Sequence, residues 1–227
     1  MTEIGQSLRD VFDRIRAITE TPEYQANAAR LVAEDAEYER KQAEHQHAAR
    51  LRATGVPPEV TREATAPTKA TAAVQDFIGA PPAQRFLILG GKKGTGKTFA
   101  LGCAVWNYGG RYVDAQQLVA AGTFDGSTWM DLASCSLLAL DELGAEYPNP
   151  AFEANLYALL DRRYRMGKRT LIATNLNAVD FKSRYCEHGL DRLLDRLKTG
   201  GRWVSLDGES LRTHWSESTE PKQETTP

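Results

Sequence analysis

At 227 residues the chain has room for one full domain plus a remainder too short for a second, and it carries 28 Lys and Arg against 30 Asp and Glu, a net charge of −2, with 41% hydrophobic residues. These values exclude a wholly disordered chain and a uniformly basic nucleic-acid coat. No run approaches the roughly 18 apolar residues of a membrane span, and the start Met1-Thr2-Glu3-Ile4-Gly5-Gln6 has neither the basic nor the apolar region of a secretion signal, so a cytoplasmic protein without a membrane partner is expected.

Residues 1–54 are rich in Ala, Glu, Arg and Gln, and Pro22 divides them into two predicted helices. In the first, Leu8, Val11, Phe12, Ile15 and Ile18 recur at helical spacing and form one apolar stripe that must dock somewhere. The second runs to about Ala53, carries both charge signs on all sides, and stops at Gly55. Residues 55–84 hold five of the ten prolines and read as a linker and lead-in, with a short helix expected over 70–78 through Ala73, Val74, Phe77 and Ile78. From 85 to 215, β-rich runs at 86–89, 111–113, 136–140, 170–173 and 203–206 alternate with helical stretches. That alternation predicts an α/β domain with a five-stranded parallel sheet flanked by helices. Residues 216–227 are Ser, Thr, Glu and Pro without an apolar anchor, a predicted disordered tail. Cys103, Cys135 and Cys186, odd in number and far apart, suit reduced thiols in packed positions.

The first strand runs into Gly91-Lys92-Lys93-Gly94-Thr95-Gly96-Lys97-Thr98 and then an apolar helix start, which matches G-x-x-x-x-G-K-[ST] in its strand-loop-helix context. Glycines let successive backbone N–H groups turn toward phosphates, the helix N-terminus adds its positive dipole end, Lys97 supplies a charge to the β and γ phosphates, and the Thr98 hydroxyl is suited to Mg²⁺. ATP and Mg²⁺ are therefore the expected ligands. The run Ser136-Leu137-Leu138-Ala139-Leu140 ends in Asp141-Glu142, two adjacent acids that divide into a metal-shell carboxylate and a carboxylate that polarises the attacking water. Asn175 follows the fourth strand, where it can orient that water or sense the γ phosphate; a turn-forming asparagine is the competing reading. Farther on, Arg192 and Arg196 share one helix face opposite a row of leucines. They read either as a finger reaching a neighbouring subunit's ATP or as partners of Asp191 and Asp195 in local ion pairs.

Taken in order, the chain resembles the AAA+ ATPases of the DnaC helicase-loader and IstB transposition-helper group. The resemblance covers about residues 50–212. It rests on Arg50-Leu51-Arg52-Ala53-Thr54-Gly55-Val56-Pro57, the phosphate loop, Leu140-Asp141-Glu142-Leu143-Gly144, Ala173-Thr174-Asn175-Leu176, Arg192-Leu193-Leu194-Asp195-Arg196-Leu197 and Gly208-Glu209-Ser210-Leu211-Arg212. It implies that Lys97 is the Walker A lysine, Asp141 and Glu142 are Walker B, Asn175 is sensor 1, Arg192 and Arg196 lie in the arginine-finger box, and Arg212 falls at the sensor 2 position. The chain departs from the group in Lys92-Lys93, where a proline is common, and in lacking the zinc-binding cysteines that precede the core in some relatives. An insertion that touches single-stranded DNA in initiator-like members corresponds here to residues 114–133, with Phe124 and Trp129, although either aromatic can equally be core.

The near-neutral total charge conceals an uneven distribution: residues 1–53 hold eight basic and ten acidic side chains, whereas 161–202 hold eleven basic and five acidic. Arg162, Arg163, Lys168 and Arg169, with Arg165, Lys182 and Arg184, read as a basic tract for a phosphate backbone or as a solvated face. The reading as a whole is an ATPase that loads a hexameric replicative helicase in a bacterial or phage-infected cell. It would self-associate through its ATP site, grip single-stranded DNA, and hold the helicase through the stripe of the first helix. Two alternatives stand beside it: a transposition helper that marks target DNA, and a nucleotide-gated adaptor with negligible turnover.

Overall fold

The computed structural model describes the backbone of residues 3–62, 67–120, 126–186, 191–208 and 210–211, and the side chains of these apart from 3–10, 62, 186 and 191–194. The predicted tail at 216–227, Phe124 and Arg212 lie outside the described residues, as do the side chains of Leu8, Cys186 and Arg192. The chain divides into two compact units, Met1–Arg50 and Leu51–Pro227.

The first unit consists of α1 (Glu3–Thr19) and most of α2 (Pro22–Thr54). Pro22 separates them as its chemistry requires: it occupies the first position of α2, where a missing N–H costs nothing. The Thr21 hydroxyl accepts from the Tyr24 N–H to cap that helix. Val11, Phe12, Ile15 and Ile18 are exposed along α1, the first two at 49% and 66%.

In the second unit α3 (Pro58–Arg62) and α4 (Lys69–Gly79) precede the alternation of β1 (Phe86–Gly91), α5 (Lys97–Tyr108), β2 (Arg111–Asp114), α6 (Ala115–Ala120), α7 (Gly126–Ser134), β3 (Leu137–Asp141), α8 (Pro150–Arg165), β4 (Arg169–Thr174), α9 (Ala178–Cys186), α10 (Asp191–Gly200) and β5 (Gly201–Leu206). The sheet order is β2-β3-β4-β1-β5, and every pairing is parallel. Each predicted run becomes a strand, with ends that shift by one to two residues.

Alternation along the central strands sorts their side chains onto two faces. Phe86, Ile88, Leu138, Leu140 and Ile172 point into a core with Leu132, Phe152, Leu156, Leu160, Phe181 and Tyr185 from the helices after β2. Leu87, Leu89, Ala139, Leu171 and Ala173 point into the opposite core with Leu101 and Val105 of α5. That second core also takes Val56, Val60, Ala70, Ala73, Val74 and Phe77, all buried. The stretch predicted as a linker is thus part of the folded core, because its short helices cover one face of the sheet. The helix expected over 70–78 is α4, capped by Thr68, whose hydroxyl accepts from the Thr71 N–H. At the root of α2, Gly55 adopts φ +74, and a Cβ there would collide with the backbone carbonyl of Tyr112 on β2. Arg111 donates to the carbonyl of Ala53 alongside it.

Candidate functional site

The phosphate loop follows β1 and opens directly into α5, whose N-cap is Gly96 in the left-handed region at φ 83. Gly94 is also left-handed, at φ +80, and a Cβ there would strike the Ser210 side chain. Both positions therefore require glycine. Gly96 brings no capping side chain, so the first N–H groups of α5 are left for an anion. Lys97 is buried, and its Nζ donates to the carbonyls of Gly91 at 2.8 Å and Lys92 at 2.7 Å. The Thr95 hydroxyl closes the loop onto the same Lys92 carbonyl at 3.0 Å. The loop is preformed by its own side chains.

A cavity of about 480 Å³, within the range of small-molecule sites, runs from this loop to the ends of β3 and β4. It is lined by Lys93, Gly94, Thr95, Gly96, Lys97 and Thr98 and by Asp141, Glu142, Thr174 and Asn175. The tertiary structure thus brings together the predicted phosphate loop, both acids and Asn175. Asp141 is buried at 2% exposure and its carboxylate is held at both ends: Oδ1 accepts from the Glu142 N–H at 2.8 Å, and Oδ2 accepts from the Tyr112 hydroxyl at 2.5 Å. Burial and the adjacent Asp141 charge push the Tyr112 phenol well above its usual range, so it stays a neutral donor. Glu142 is exposed in the cavity with φ 52, the single non-glycine residue with positive φ among the described residues. Backbone held in that region costs free energy and persists where the surroundings enforce it.

The enforcing network lies just beyond: Gly144 belongs to the motif that carries both acids and Arg184, predicted as part of the basic tract, is instead tied up here, whereas Glu146, Glu153 and Tyr185 gave no signal in the sequence. Gly144 at φ 98 completes the turn, and its N–H donates to Glu146 Oε2 at 2.7 Å. The other Glu146 oxygen accepts from the Tyr185 hydroxyl at 2.5 Å, and Arg184 bridges Glu146 at 3.4 Å and Glu153 at 2.9 Å. Burial beside Glu146 raises the Tyr185 phenol far above its usual value. These residues join the turn after Glu142 to α8 and α9.

Pro57, Glu59, Val60 and Thr68 from the predicted linker, together with Leu211, complete the cavity wall. Leu211 is tied to the phosphate loop by its N–H, which donates to the Gly94 carbonyl at 2.8 Å. The donor set fits a nucleotide with its metal. The Thr98 hydroxyl and the Asp141 carboxylate line the cavity and would offer the hard oxygen ligands that suit Mg²⁺, and glycine backbone, Lys97 and a helix N-terminus would offer the phosphate cradle. No cluster of three or more His, Cys, Asp or Glu that would hold another metal is present among the described residues.

The basic tract requires correction. Arg163 is fully buried: its guanidinium donates to the Thr170 hydroxyl at 2.9 Å and to the carbonyls of Leu132 at 2.7 Å, Cys135 at 2.9 Å and Arg169 at 2.5 Å. Its partners lie on or beside the last turn of α7 and on β4, so the cation neutralises a helix C-terminus and cannot meet a nucleic acid. Desolvation accordingly lowers its pKa. Arg169 donates to the carbonyls of Phe77 at 2.9 Å, Ile78 and Ala80 at 2.5 Å, where it closes the C-terminus of α4. Both predicted DNA contacts are structural. Of the predicted set, Arg162 is exposed and Lys168 half-buried. Trp129 packs against the core and tilts on Phe152 at 6.1 Å between ring centroids. Arg196 pairs with the buried Asp161 at 2.5 Å and lies over the Tyr164 ring at 5.1 Å, contacts that fix α10 to α8.

A five-stranded parallel sheet in this order, with a phosphate loop after β1 and paired acids at the end of β3, defines a P-loop nucleotide-binding protein of the AAA+ type. The profile of the IstB-like ATP binding proteins matches residues 36–219, and the chain belongs to that family. It is 30% identical over 134 residues to YdaV, an uncharacterized protein of Escherichia coli strain K12, covering 54% of this chain and 53% of that one. It is 29% identical over 143 residues to the replicative helicase loader DnaC of Buchnera aphidicola, covering 56% of each. The chain spans about half the length of the curated relatives it matches. Among solved structures, the fold resembles DnaI with a TM-score of 0.53 at 17% identity, covering 69% of this chain and 94% of that one. It resembles the DnaC helicase loader at 0.50 and 19%, covering 64% and 95%. A third is the replication initiator DnaA bound to AMPPCP and single-stranded DNA, at 0.51 and 18%, covering 68% and 51%.

Proposed function

We propose that this ATP-binding protein is an ATP-hydrolysing helicase-loading factor. The observation that carries the reading is the convergence of Lys97, Thr98, Asp141, a strained and exposed Glu142, and Asn175 on one cavity. In this reading Gly91, Lys92, Lys93, Gly94, Thr95 and Gly96 with Lys97 cradle the phosphates, and Thr98 and Asp141 hold Mg²⁺. The metal, when bound, neutralises charge on the β and γ phosphates. Glu142 orients and deprotonates the attacking water, and Asn175 contacts that water or the γ phosphate.

Copies of the chain associate through the ATP site. Because Arg196 is already tied to Asp161 and Tyr164, Arg192 takes the role of finger toward the neighbouring ATP, and Arg212 the sensor 2 role. The exposed row of Val11, Phe12, Ile15 and Ile18 supports a helicase contact, an amphipathic helix laid into a groove of the hexamer, to which Leu8 belongs by its sequence spacing. Arg162, Lys168 and Phe124 remain for single-stranded DNA. The DnaC relative and the DnaA likeness support this assignment, which places the protein in the cytoplasm of a bacterial or phage-infected cell.

The test is ATP turnover and partner capture measured on one preparation. Glu142→Gln should retain ATP and lose at least about a hundredfold in turnover, and a replicative helicase should be captured by the full chain but not after deletion of residues 1–20. Turnover at background in the wild type, with helicase capture intact, would leave a nucleotide-gated adaptor. Capture of a transposase in place of a helicase would favour the transposition helper.

A further inference from the structure

The metal-side acid has a partner from the neighbouring strand. β2 and β3 pair in register, Tyr112 opposite Ala139 and Asp114 opposite Asp141. Alternate residues of a strand share a face, so Tyr112, Ala139 and Asp141 all point toward the side of the sheet that α5 covers. From there the phenol reaches diagonally, two pairs along the ladder and so on the same face, to Oδ2 of Asp141 at 2.5 Å. The Glu142 N–H holds Oδ1 at 2.8 Å. Two donors on two oxygens leave a carboxylate no free rotation about its terminal bond. The position of Tyr112 is itself over-determined: Gly55 packs on its backbone carbonyl so closely that no side chain fits, and the preceding Arg111 is anchored to Ala53 and Asp131.

We propose that Tyr112 is a positioning residue for the Mg²⁺-ligating carboxylate, its hydroxyl fixing Asp141 in the rotamer with which it enters the coordination of a nucleotide-bound metal. The inference rests on the reading of Asp141 as a metal ligand. A hydrogen-bonded partner of this kind typically carries about a tenfold or greater share of metal affinity, since without it the ligand must be ordered at the moment of binding. A phenol is well matched to that role, because it donates one hydrogen bond, brings no charge of its own, and fills the space beneath the strand with an apolar ring.

The experiment is equilibrium binding of a fluorescent, non-hydrolysable ATP analogue to the full chain, in EDTA and across a Mg²⁺ titration, for wild type and Tyr112→Phe. Phenylalanine keeps the ring and removes only the hydroxyl. The expected result is unchanged affinity in EDTA and a half-saturating Mg²⁺ concentration raised about tenfold. An identical Mg²⁺ dependence in the two proteins overturns the proposal, as does an equal loss of affinity with and without Mg²⁺, the signature of general support for the fold. A wild type that binds the analogue without any Mg²⁺ dependence instead overturns the metal-site reading of Asp141.

Should Tyr112→Phe not fold, 3-fluorotyrosine placed at position 112 alone keeps the question open to measurement. Its fluorine resonance should move when Mg²⁺ is added to the analogue complex and not when the analogue is added in EDTA. A resonance indifferent to Mg²⁺ counts against the proposal.

Discussion

In the Met1–Arg50 unit, Arg30 pairs with Glu34 and Lys41 with Glu37, residues four apart on one helix, with every one of these side chains more than half exposed. In the Leu51–Pro227 unit, Arg184 joins Glu146 and Glu153, and Arg163 lies fully buried among carbonyls. The sequence writes both sets with the same letters. In the first unit a charge supports its own helix by a few tenths of a kcal/mol and keeps it in water. In the second a charge fixes one element against another, and its loss leaves buried donors or acceptors unpaired. The arm and the core thus differ less in how many charges they hold than in what removal of one would expose.

Three substitutions bear on that contrast. The largest effect is expected from Arg163→Met, which leaves the carbonyls of Leu132, Cys135 and Arg169 without their donor. Unfolding in urea should show a loss of about 3 kcal/mol or more. A loss below about 1 kcal/mol would mean that water replaces the guanidinium and that the core charges are no different from those of the arm. Next comes Glu146→Gln. The amide must turn its NH₂ toward either the Gly144 N–H or the Tyr185 hydroxyl, and only the hydroxyl can rotate away. Stability should fall by about 1 to 3 kcal/mol, and ATP turnover should fall while ATP binding is kept, because the turn that holds Glu142 loosens. Unaltered turnover at reduced stability would separate the Glu146 network from the chemistry. The smallest effect belongs to Arg30→Ala on α2, with a shift in unfolding free energy within about 0.5 kcal/mol; a larger shift would reveal that α2 is held by more than its own helix.

Some of the candidate site was legible because its chemistry is local. The phosphate loop needs glycine and lysine at fixed offsets between a strand and a helix, so residues 91–98 declare themselves. Asp141 and Glu142 stand at the end of an apolar run, and Asn175 follows another; a strand's length and its carboxyl end can be read without knowing its neighbours. Tyr112 could not be found this way. On β2 it is one residue in Arg111-Tyr112-Val113-Asp114, and its importance comes from the register that sets it beside β3. Glu146 sits in a stretch of Gly, Pro and Asn that reads as solvated loop, and nothing nearby announces Tyr185, 39 residues later in the chain.

The arginines show the same division more sharply. Spacing alone made Arg163 and Arg169 members of a basic tract, and made Arg196 an equal of Arg192. Folding gave Arg163 to the end of α7, Arg169 to the end of α4, and Arg196 to Asp161. The proline-rich stretch before β1 changed in the same way: its composition describes turns, whereas Val56, Val60, Val74 and Phe77 enter the core and Pro57, Val60 and Thr68 wall the nucleotide cavity.

By itself the sequence determined the strand positions, the phosphate loop and the paired acids, since each follows from periodicity or from spacing within a few residues. Only the tertiary structure decided which cations face water, which acid holds the Glu142 turn, and which side chain steadies Asp141. Those assignments depend on pairing across the sheet and between helices far apart in the chain, and a burial that converts a solvated charge into a structural one is a property of the packed whole.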